Sequence, residues 1–201
     1  MSAREQIFAG IKSALAPLPH REPCPVVPHG VADPQWLAGE VDDAALFTKR
    51  ATAAGTTVFA SAGDCLSWLF ENRAAKVYVP DSLRDVTAKF DGMVELVHEY
   101  SRAQVDEIDA ALTPAAGAIA ESGSIILTDE STPDRLAALA PWTHIAVVRR
   151  ETIFRSVADA LAAMPDDPNI IWVTGPSKTA DVEGILIQGV HGPGVQGCLL
   201  V

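Results

Sequence analysis

The chain has 201 residues, which fits one α/β domain, or one domain with an N-terminal extension, built around a single core. Lysine and arginine number 15 against 26 aspartate and glutamate residues, so the formal net charge is -11. This charge repels nucleic-acid phosphates and anionic lipid surfaces, which argues against nucleic acid as a partner.

The chain's three cysteines, Cys24, Cys65 and Cys198, are too scattered for a disulfide framework or a cluster of metal-binding thiolates. An iron–sulfur cluster takes about four thiolate ligands, so we expect none on this chain. No segment approaches the ~18 consecutive apolar residues of a membrane span, and the charged N-terminus is unlike a signal peptide. These features predict a cytoplasmic protein without a membrane span.

The first predicted element is an amphipathic helix over residues 2–15, with Ser2 as its N-cap and Glu5 completing a capping box. Six prolines follow between residues 17 and 34. Because prolines remove backbone donors and exclude helix, this stretch is predicted to be an extended arm. We therefore divide the chain into a helix with a proline-rich arm, residues 1–34, and an α/β domain, residues 35–201.

From residue 41 the pattern alternates between helix and strand. Helices are predicted over residues 43–54, 64–72 (capped by Asp64), 82–90 and 102–112 (capped by Ser101), and strands over residues 56–60, 76–79 and 93–98. This βαβ rhythm predicts a largely parallel sheet covered by helices.

After Pro114, the apolar runs 117–120 and 124–128 are separated by only three residues. Such a connection allows an antiparallel hairpin or one bent strand, but not a parallel crossover. The remaining helices are predicted over residues 134–140 and 152–164, and the remaining strands over residues 144–148, 170–173, 184–187 and 195–201. We expect the last two strands to join a mixed sheet.

Three motifs stand out: residues 118–125 (AIAESGSI), 174–183 (TGPSKTADVE) and 189–193 (GVHGP). In them the sequence resembles the LUD domain of the lactate-utilization protein C family. The resemblance implies a three-layer α/β fold with a mixed, mostly parallel sheet, similar to the NagB/RpiA/CoA-transferase-like fold. It also implies an iron–sulfur-dependent system that oxidises L-lactate to pyruvate, with the iron–sulfur clusters on partner subunits.

The second motif contains a turn that can bind an anion through backbone N–H groups at Gly175, the hydroxyls of Ser177 and Thr179, and the ammonium of Lys178. Its spacing is not that of a Walker A loop. The alternative is a simple turn in which Ser177 or Thr179 caps a helix. Ligands of open α/β sheets bind at strand ends, so this turn is our candidate site for a small carboxylate or phosphate.

Asp181 and Glu183 would face one side of a strand, where they could hold a cation or share a proton. Alternatively, Asp181 caps a turn and Glu183 forms an ion pair. His191 could act as an acid, a base or a hydrogen-bond donor, or it could be structural. The histidines and cysteines show no metal-ligand spacing, so no metal site is predicted.

Glu121 lies in a turn where Gly123 could let the backbone approach a ligand closely. The turn resembles the Glu-x-Gly turn that supplies the nucleophilic carboxylate of CoA-transferases. That resemblance makes Glu121 the candidate catalytic or ligand-anchoring carboxylate, and an exposed turn glutamate is the alternative. We expect Glu121, Ser177, Thr179 and His191 to line one cleft at an edge of the sheet.

Three functions follow from these features. The first is a subunit of a lactate-oxidising system, which supplies a small-anion site, an assembly surface or both. The second is a free-standing enzyme of the isomerase or acyl-transfer type that uses Glu121. The third is a structural adaptor without a ligand site. Convergence of the three motifs around one pocket would favour ligand binding.

Overall fold

The computed structural model describes residues 2–16, 39, 42–164, 169–180 and 184–201. The chain divides into two compact units, residues 1–38 and residues 39–201. The proline-rich arm and the domain boundary after residue 34 lie outside the described residues, so both stay predictions. The same holds for Asp181 and Glu183.

The first unit contains helix α1 (Ala3–Leu15). The predicted capping box is present, because the Glu5 N–H donates to the Ser2 hydroxyl (3.3 Å) and the Ser2 N–H donates to the Glu5 carboxylate (2.7 Å). The apolar side chains Ile7, Phe8 and Ile11 are exposed. The predicted amphipathic helix is therefore confirmed.

The second unit contains four helices and twelve strands among its described residues. The helices are α2 (Asp43–Ala54), α3 (Ala62–Glu71), α4 (Arg135–Leu139) and α5 (Val157–Ala163). The strands are β1 (Thr57–Phe59), β2 (Lys76–Tyr78), β3 (Glu95–Val97), β4 (Ala110–Pro114), β5 (Gly117–Ile119), β6 (Ser124–Leu127), β7 (Thr143–Val148), β8 (Ile153–Phe154), β9 (Ile171–Val173), β10 (Lys178–Ala180), β11 (Leu186–Gln188) and β12 (Val195–Leu200).

The main sheet has six strands in the order β1-β12-β7-β4-β2-β3, and all of its pairs are parallel. On one face Leu69 of α3 packs with buried residues of the strands, including Leu112 and Ile145. On the other face Ala137 of α4 packs with Tyr78 and Ala111. Helices thus cover both faces, and the predicted α/β class and parallel sheet are confirmed.

The antiparallel pairing lies in two smaller sheets instead of in the main one. A four-stranded sheet has the order β8-β5-β6-β9, and β10 pairs with β11 in a separate hairpin. Strands β5 and β6 form the antiparallel hairpin that was one of the two predicted alternatives. The prediction that residues 184–187 join the mixed sheet is wrong, because their strand pairs only with β10 among the described residues.

Two helix predictions are wrong over most of their length. Residues 102–112 form a short 3-10 helix (Arg102–Glu107) followed by β4, because Ala110, Ala111 and Leu112 are a fully buried strand. Residues 82–90 contain two 3-10 turns, Asp81–Leu83 and Ala88–Phe90. Periodicity alone cannot separate a buried strand from a buried helix over so few residues.

The start of two helices also differs from the sequence prediction. Helix α3 begins after Ser61, whose hydroxyl accepts from the Asp64 N–H at 3.1 Å, so Ser61 is the cap and Asp64 is not. Helix α5 begins only after Ser156, which forms a capping box with Asp159. The residues predicted as the first turn of that helix form the short strand β8, because they pair with β5.

Candidate functional site

The turn after β9 packs against the C-terminal end of α2. Gly175 has a φ of +75°, and a Cβ built there would lie 2.2 Å from the Ala54 carbonyl oxygen. The turn then enters β10, so neither Ser177 nor Thr179 caps a helix. Gly175 is therefore needed for a close approach between two parts of this chain.

The turn between β5 and β6 approaches the same helix. Gly123 has a φ of +70°, and a Cβ there would lie 2.3 Å from the Ala51 amide nitrogen. The glycine predicted to admit a ligand thus admits α2. A chain of hydroxyls joins this turn to the next motif, because Ser122 and Ser124 bond at 2.7 Å and Ser124 and Thr174 at 2.6 Å.

The third motif is bonded to the second through Ser177. The Ser177 N–H donates to the Pro193 carbonyl at 2.9 Å, and the Gly189 N–H donates to the Ser177 carbonyl at 3.0 Å. The His191 N–H donates to the Ser177 hydroxyl at 3.2 Å. Residues 121–124, 174–179 and 189–194 therefore form one hydrogen-bonded assembly, which we call the motif unit.

A tryptophan that sequence reasoning missed lies on the motif unit. A Cβ at Gly189 or at Gly194 would lie 2.4 Å from ring atoms of Trp142, so the indole lies directly against both glycines. Trp142 nevertheless stays 58% exposed. The only signal in the sequence is that a tryptophan precedes one predicted strand and two glycines precede another. This pattern does not show that the tryptophan contacts the glycines.

The position of Trp142 places the third motif at the amino end of the parallel sheet. Trp142 immediately precedes β7, and Gly194 immediately precedes the neighbouring strand β12. Ligands of open α/β sheets bind at the carboxyl ends of the strands, which is the opposite edge.

Three of the predicted site residues, Glu121, Ser177 and Lys178, have functional groups in contact with other parts of the chain. The Glu121 carboxylate accepts from the Val157 N–H at 2.9 Å, at the first turn of α5. The exposed Lys178 ammonium lies beside Gly55, the C-cap of α2, where a cation stabilises the helix dipole. The structure joins Ser177 to the backbone of His191, and it directs Glu121 to α5.

A buried polar cluster crosses the middle of the main sheet. His144 is fully buried, with Nδ1 3.0 Å from Gln196 Oε1 and Nε2 2.9 Å from Thr113 Oγ1. Because the Gln196 amide donates to the Gly197 carbonyl, Nδ1–H donates to Gln196 and Nε2 accepts from Thr113. Burial lowers the pKa of His144 to about 4, although its bond to Gln196 opposes that shift. The imidazole is therefore neutral near pH 7.

A second buried pair lies at the carboxyl ends of β2 and β4. The Tyr78 hydroxyl donates to the Asp134 carboxylate, and burial followed by this bond raises the pKa of Tyr78. The small cavity beside it has a volume of about 20 Å³ and is lined by residues that include Thr113 and Thr132. The Thr132 hydroxyl donates to the Pro114 carbonyl and the Thr113 hydroxyl donates to His144, so these two donors are engaged inside the chain.

Larger cavities open elsewhere on the second unit. A cavity of about 390 Å³ lies beside Trp142, and one of about 480 Å³ lies at the carboxyl ends of β1 and β12. Neither is lined by Glu121, Ser177 or His191. The three motifs therefore meet each other without these side chains sharing either cavity.

The structure shows no cluster of three or more His, Cys, Asp or Glu side chains fit for a metal, within the residues that it describes. Cys65 and Cys198 are buried free thiols, and burial raises the pKa of each to about 12. Across the described ranges, no helix is long and apolar enough to span a membrane.

The family model and the similar sequences indicate the same family. The sequence model of the family described as LUD domain matches residues 44–201. Lactate utilization protein C of Deinococcus radiodurans is 39% identical over 98 residues, 46% of each chain. The protein of that name from Macrococcus caseolyticus is 40% identical over 83 residues, 37% of this chain and 36% of that one. The alignments thus span less than half of these curated relatives.

One solved structure is also similar. It is the crystal structure of a DUF162 family protein from Deinococcus radiodurans, with a TM-score of 0.56 and 24% sequence identity. The match covers 81% of this chain and 99% of the other. At this identity the likeness shows the fold.

Proposed function

Because the chain belongs to the LUD domain family, we propose that it serves in lactate utilisation, as a subunit of an iron–sulfur-dependent system that oxidises L-lactate to pyruvate. The observation that carries this proposal is the name shared by its relatives, lactate utilization protein C, at 35–40% identity. The iron–sulfur clusters belong to partner subunits in this proposal. The buried thiols of Cys65 and Cys198 support that division, since metal ligation requires thiolates.

The surface around Trp142 supports a role in assembly. Trp142 is 58% exposed, and Leu186 (59%) and Val190 (50%) are exposed on the adjoining hairpin and turn. Tryptophan is enriched among residues that dominate binding energy at protein interfaces, and exposed apolar patches mark such interfaces. We refer to Trp142, Leu186 and Val190 as the Trp142 surface.

A small-anion site at Gly175, Ser177, Lys178 and Thr179 stays a subordinate proposal. The Ser177 N–H already donates to the Pro193 carbonyl, which removes one donor of the expected anion site. What supports the site is the exposed Lys178 ammonium beside the half-buried hydroxyls of Ser177 and Thr179. The isomerase or acyl-transfer alternative loses support, because the Glu121 carboxylate is bonded to α5.

Replacing the Trp142 surface tests the assembly role. We expect Trp142→Ser with Leu186→Ser to abolish growth on L-lactate of a host that depends on this chain, and to lower lactate-dependent electron transfer in the copurified complex. The matched control is Leu161→Ser, since Leu161 is 59% exposed on α5. Full growth of a stably folded double variant would reject the assembly role.

A further inference from the structure

The cavity of about 390 Å³ beside Trp142 lies at the amino ends of three neighbouring strands of the main sheet. Its lining comes from the segments that immediately precede β2, β4 and β7 and from the 3-10 helix before β4. Val105, Ile108 and Pro141 give it apolar surface next to Trp142. The cavity therefore adjoins the Trp142 surface.

The Trp142 indole is held by the chain and stays available to a partner. Cβ atoms built at Gly189 and Gly194 would meet atoms of its six-membered ring, yet 58% of Trp142 is exposed. Tryptophan attracts a cation over its ring face more strongly than the other aromatic side chains do. An arginine or lysine side chain suits such a place, because its methylene groups can lie on apolar surface while its charged head meets the ring.

The charge of the cavity favours a cation. Among the described residues of the lining, Asp106 and Asp109 stand against Arg73, which leaves an excess of one negative charge. No ion pair joins Arg73 to either carboxylate in the part of the chain that the structure describes. A positively charged side chain is therefore attracted to this cavity by the local charge, and also by the formal net charge of -11.

Asp106 is the carboxylate that a partner can use. Its side chain is exposed and has no hydrogen bond or ion pair within the described ranges. Asp109 differs, because its carboxylate accepts from the N–H groups of Ala75 and Lys76 at 2.8 and 2.9 Å and so supports the start of β2. The Lys76 ammonium pairs with Glu107 at 2.7 Å, so it does not neutralise Asp106.

We propose that this cavity receives an arginine or lysine side chain of a partner subunit. The cation lies over Trp142 and pairs with Asp106, while apolar residues beside it on the partner cover Leu186 and Val190. A second copy of this chain does not suit the cavity, since two chains of net charge -11 repel each other. The inference rests on the proposed assembly role and adds the chemistry of the partner.

Titration of the partner subunits measures this contact. Subunits that copurify with the tagged full chain are separated from it and titrated onto the immobilised chain at low and high salt. We expect Asp106→Asn to raise the Kd at least about fivefold, and Asp106→Lys to raise it further, because a charged pair is lost and then replaced by repulsion. Higher salt should weaken binding to the parent chain more than binding to Asp106→Asn.

Two further variants test the position and the sign of the charge. Asp85→Asn is the matched control, since Asp85 is an exposed aspartate outside the described lining, and it should change the Kd less than about twofold. Arg73→Asn removes the cation of the lining, and asparagine tolerates the left-handed backbone there (φ +58°). Its binding should be unchanged or tighter. Circular dichroism and thermal unfolding establish that each variant is folded.

Photo-crosslinking identifies the partner residue. A photoreactive amino acid in place of Val105, in the copurified complex, should cross-link to a partner peptide that contains arginine or lysine. Replacement of that basic residue by glutamate should restore binding to Asp106→Lys, because the charges are then exchanged.

The outcomes separate this inference from the assembly role. Unchanged binding in Asp106→Asn and Asp106→Lys would overturn the inference, and loss of binding in the Trp142→Ser, Leu186→Ser double variant would then leave the assembly role standing. Weaker binding in Arg73→Asn would mean that the partner presents a carboxylate, which also overturns the inference. Full binding of the double variant, or the absence of any copurifying subunit, would reject both.

Discussion

Gly123 and Gly175 lie in two turns, at positions where a side chain would collide with α2. Both have positive φ, and a Cβ at either position would lie within 2.3 Å of backbone atoms of that helix. A backbone atom of a packed helix cannot swing away as a flexible side chain can. The two glycines thus have a packing role that is separate from any ligand.

Alanine substitution should separate the energetic cost of backbone strain from the cost of collision with α2. Gly92 is the control, since it has a φ of +71° and a methyl group there would meet no atom within 4 Å. We expect Gly92→Ala to cost about 1 kcal/mol, and Gly123→Ala and Gly175→Ala to cost more than about 3 kcal/mol of unfolding free energy, because overpacking adds to strain. Urea denaturation measures the difference, and equal losses at all three positions would contradict the packing role.

His144 should make stability depend on pH. Its folded pKa of about 4 lies below the unfolded value of about 6.5, so between these values only the unfolded chain takes up the proton. The contribution of His144 to the free energy of unfolding is therefore complete above about pH 6.5. It falls by roughly 3 kcal/mol as the pH drops to about 4.

Urea unfolding of the chain and of His144→Gln at about pH 7 and about pH 4.5 checks this contribution. The variant should lose less stability on acidification than the parent chain. His191→Gln, at an exposed imidazole, is the control and should behave as the parent. Equal acid sensitivity of His144→Gln and the parent would contradict the assignment.

At the scale of elements, Glu121 connects the β5–β6 turn to α5. Its carboxylate accepts from the Val157 N–H, and its own N–H donates to the Arg155 carbonyl at 3.0 Å. A carboxylate at a helix N-terminus satisfies an unpaired donor and interacts favourably with the helix dipole.

This role predicts how Glu121 responds to substitution. We expect Glu121→Ala to lower the free energy of unfolding by about 1 kcal/mol, and Glu121→Gln by less, because its amide oxygen can still accept the bond. Both variants should support growth on L-lactate. Glu151→Gln, on an exposed turn, is the control for charge. Loss of growth in a fully folded Glu121→Gln variant would restore the catalytic hypothesis.

Local patterns predicted some elements well and others poorly, for physical reasons. Helix α2 has its predicted bounds because an Asp42 cap and a Gly55 stop enclose a helical run. Strand β4 was predicted as helix because it is buried on both faces and shows no alternation. The contacts of Gly123, Gly175 and Trp142 join residues far apart in sequence, so no local pattern could reveal them.

At the scale of the whole molecule, the cofactor expectation stays a prediction. The anaerobically purified chain should be colourless and contain no stoichiometric iron or sulfide, because a cluster takes about four thiolates and the chain has three cysteines. Iron and sulfide assays with an ultraviolet–visible spectrum measure this. Stoichiometric amounts of both would mean that partner thiolates or other ligands complete a cluster here.

The sequence located the turns around Gly123, Gly175 and Gly192, but it missed strand β10, which begins at Lys178, and it could not show how the turns are used. The class of fold follows from the alternation of elements, which is a local property of the chain. The placement of the third motif at the amino end of the sheet depends on which strands are neighbours, and β7 and β12 are about 50 residues apart. The cavity of about 480 Å³ at the carboxyl ends of β1 and β12 likewise draws residues from α2, from both strands and from the segment after β7.

The residue at position 142 limits which residues are accepted at position 194, and the reverse is also true. Gly189 has a φ of +78° and so has a backbone reason to be glycine, whereas Gly194 has no positive φ, and a side chain there would meet the indole in its present position. A chain with a small residue at position 142 would therefore accept alanine at position 194. Replacement of the tryptophan first is the less costly order, because Gly194→Ala alone forces the exposed indole to move away from a contact of 2.4 Å.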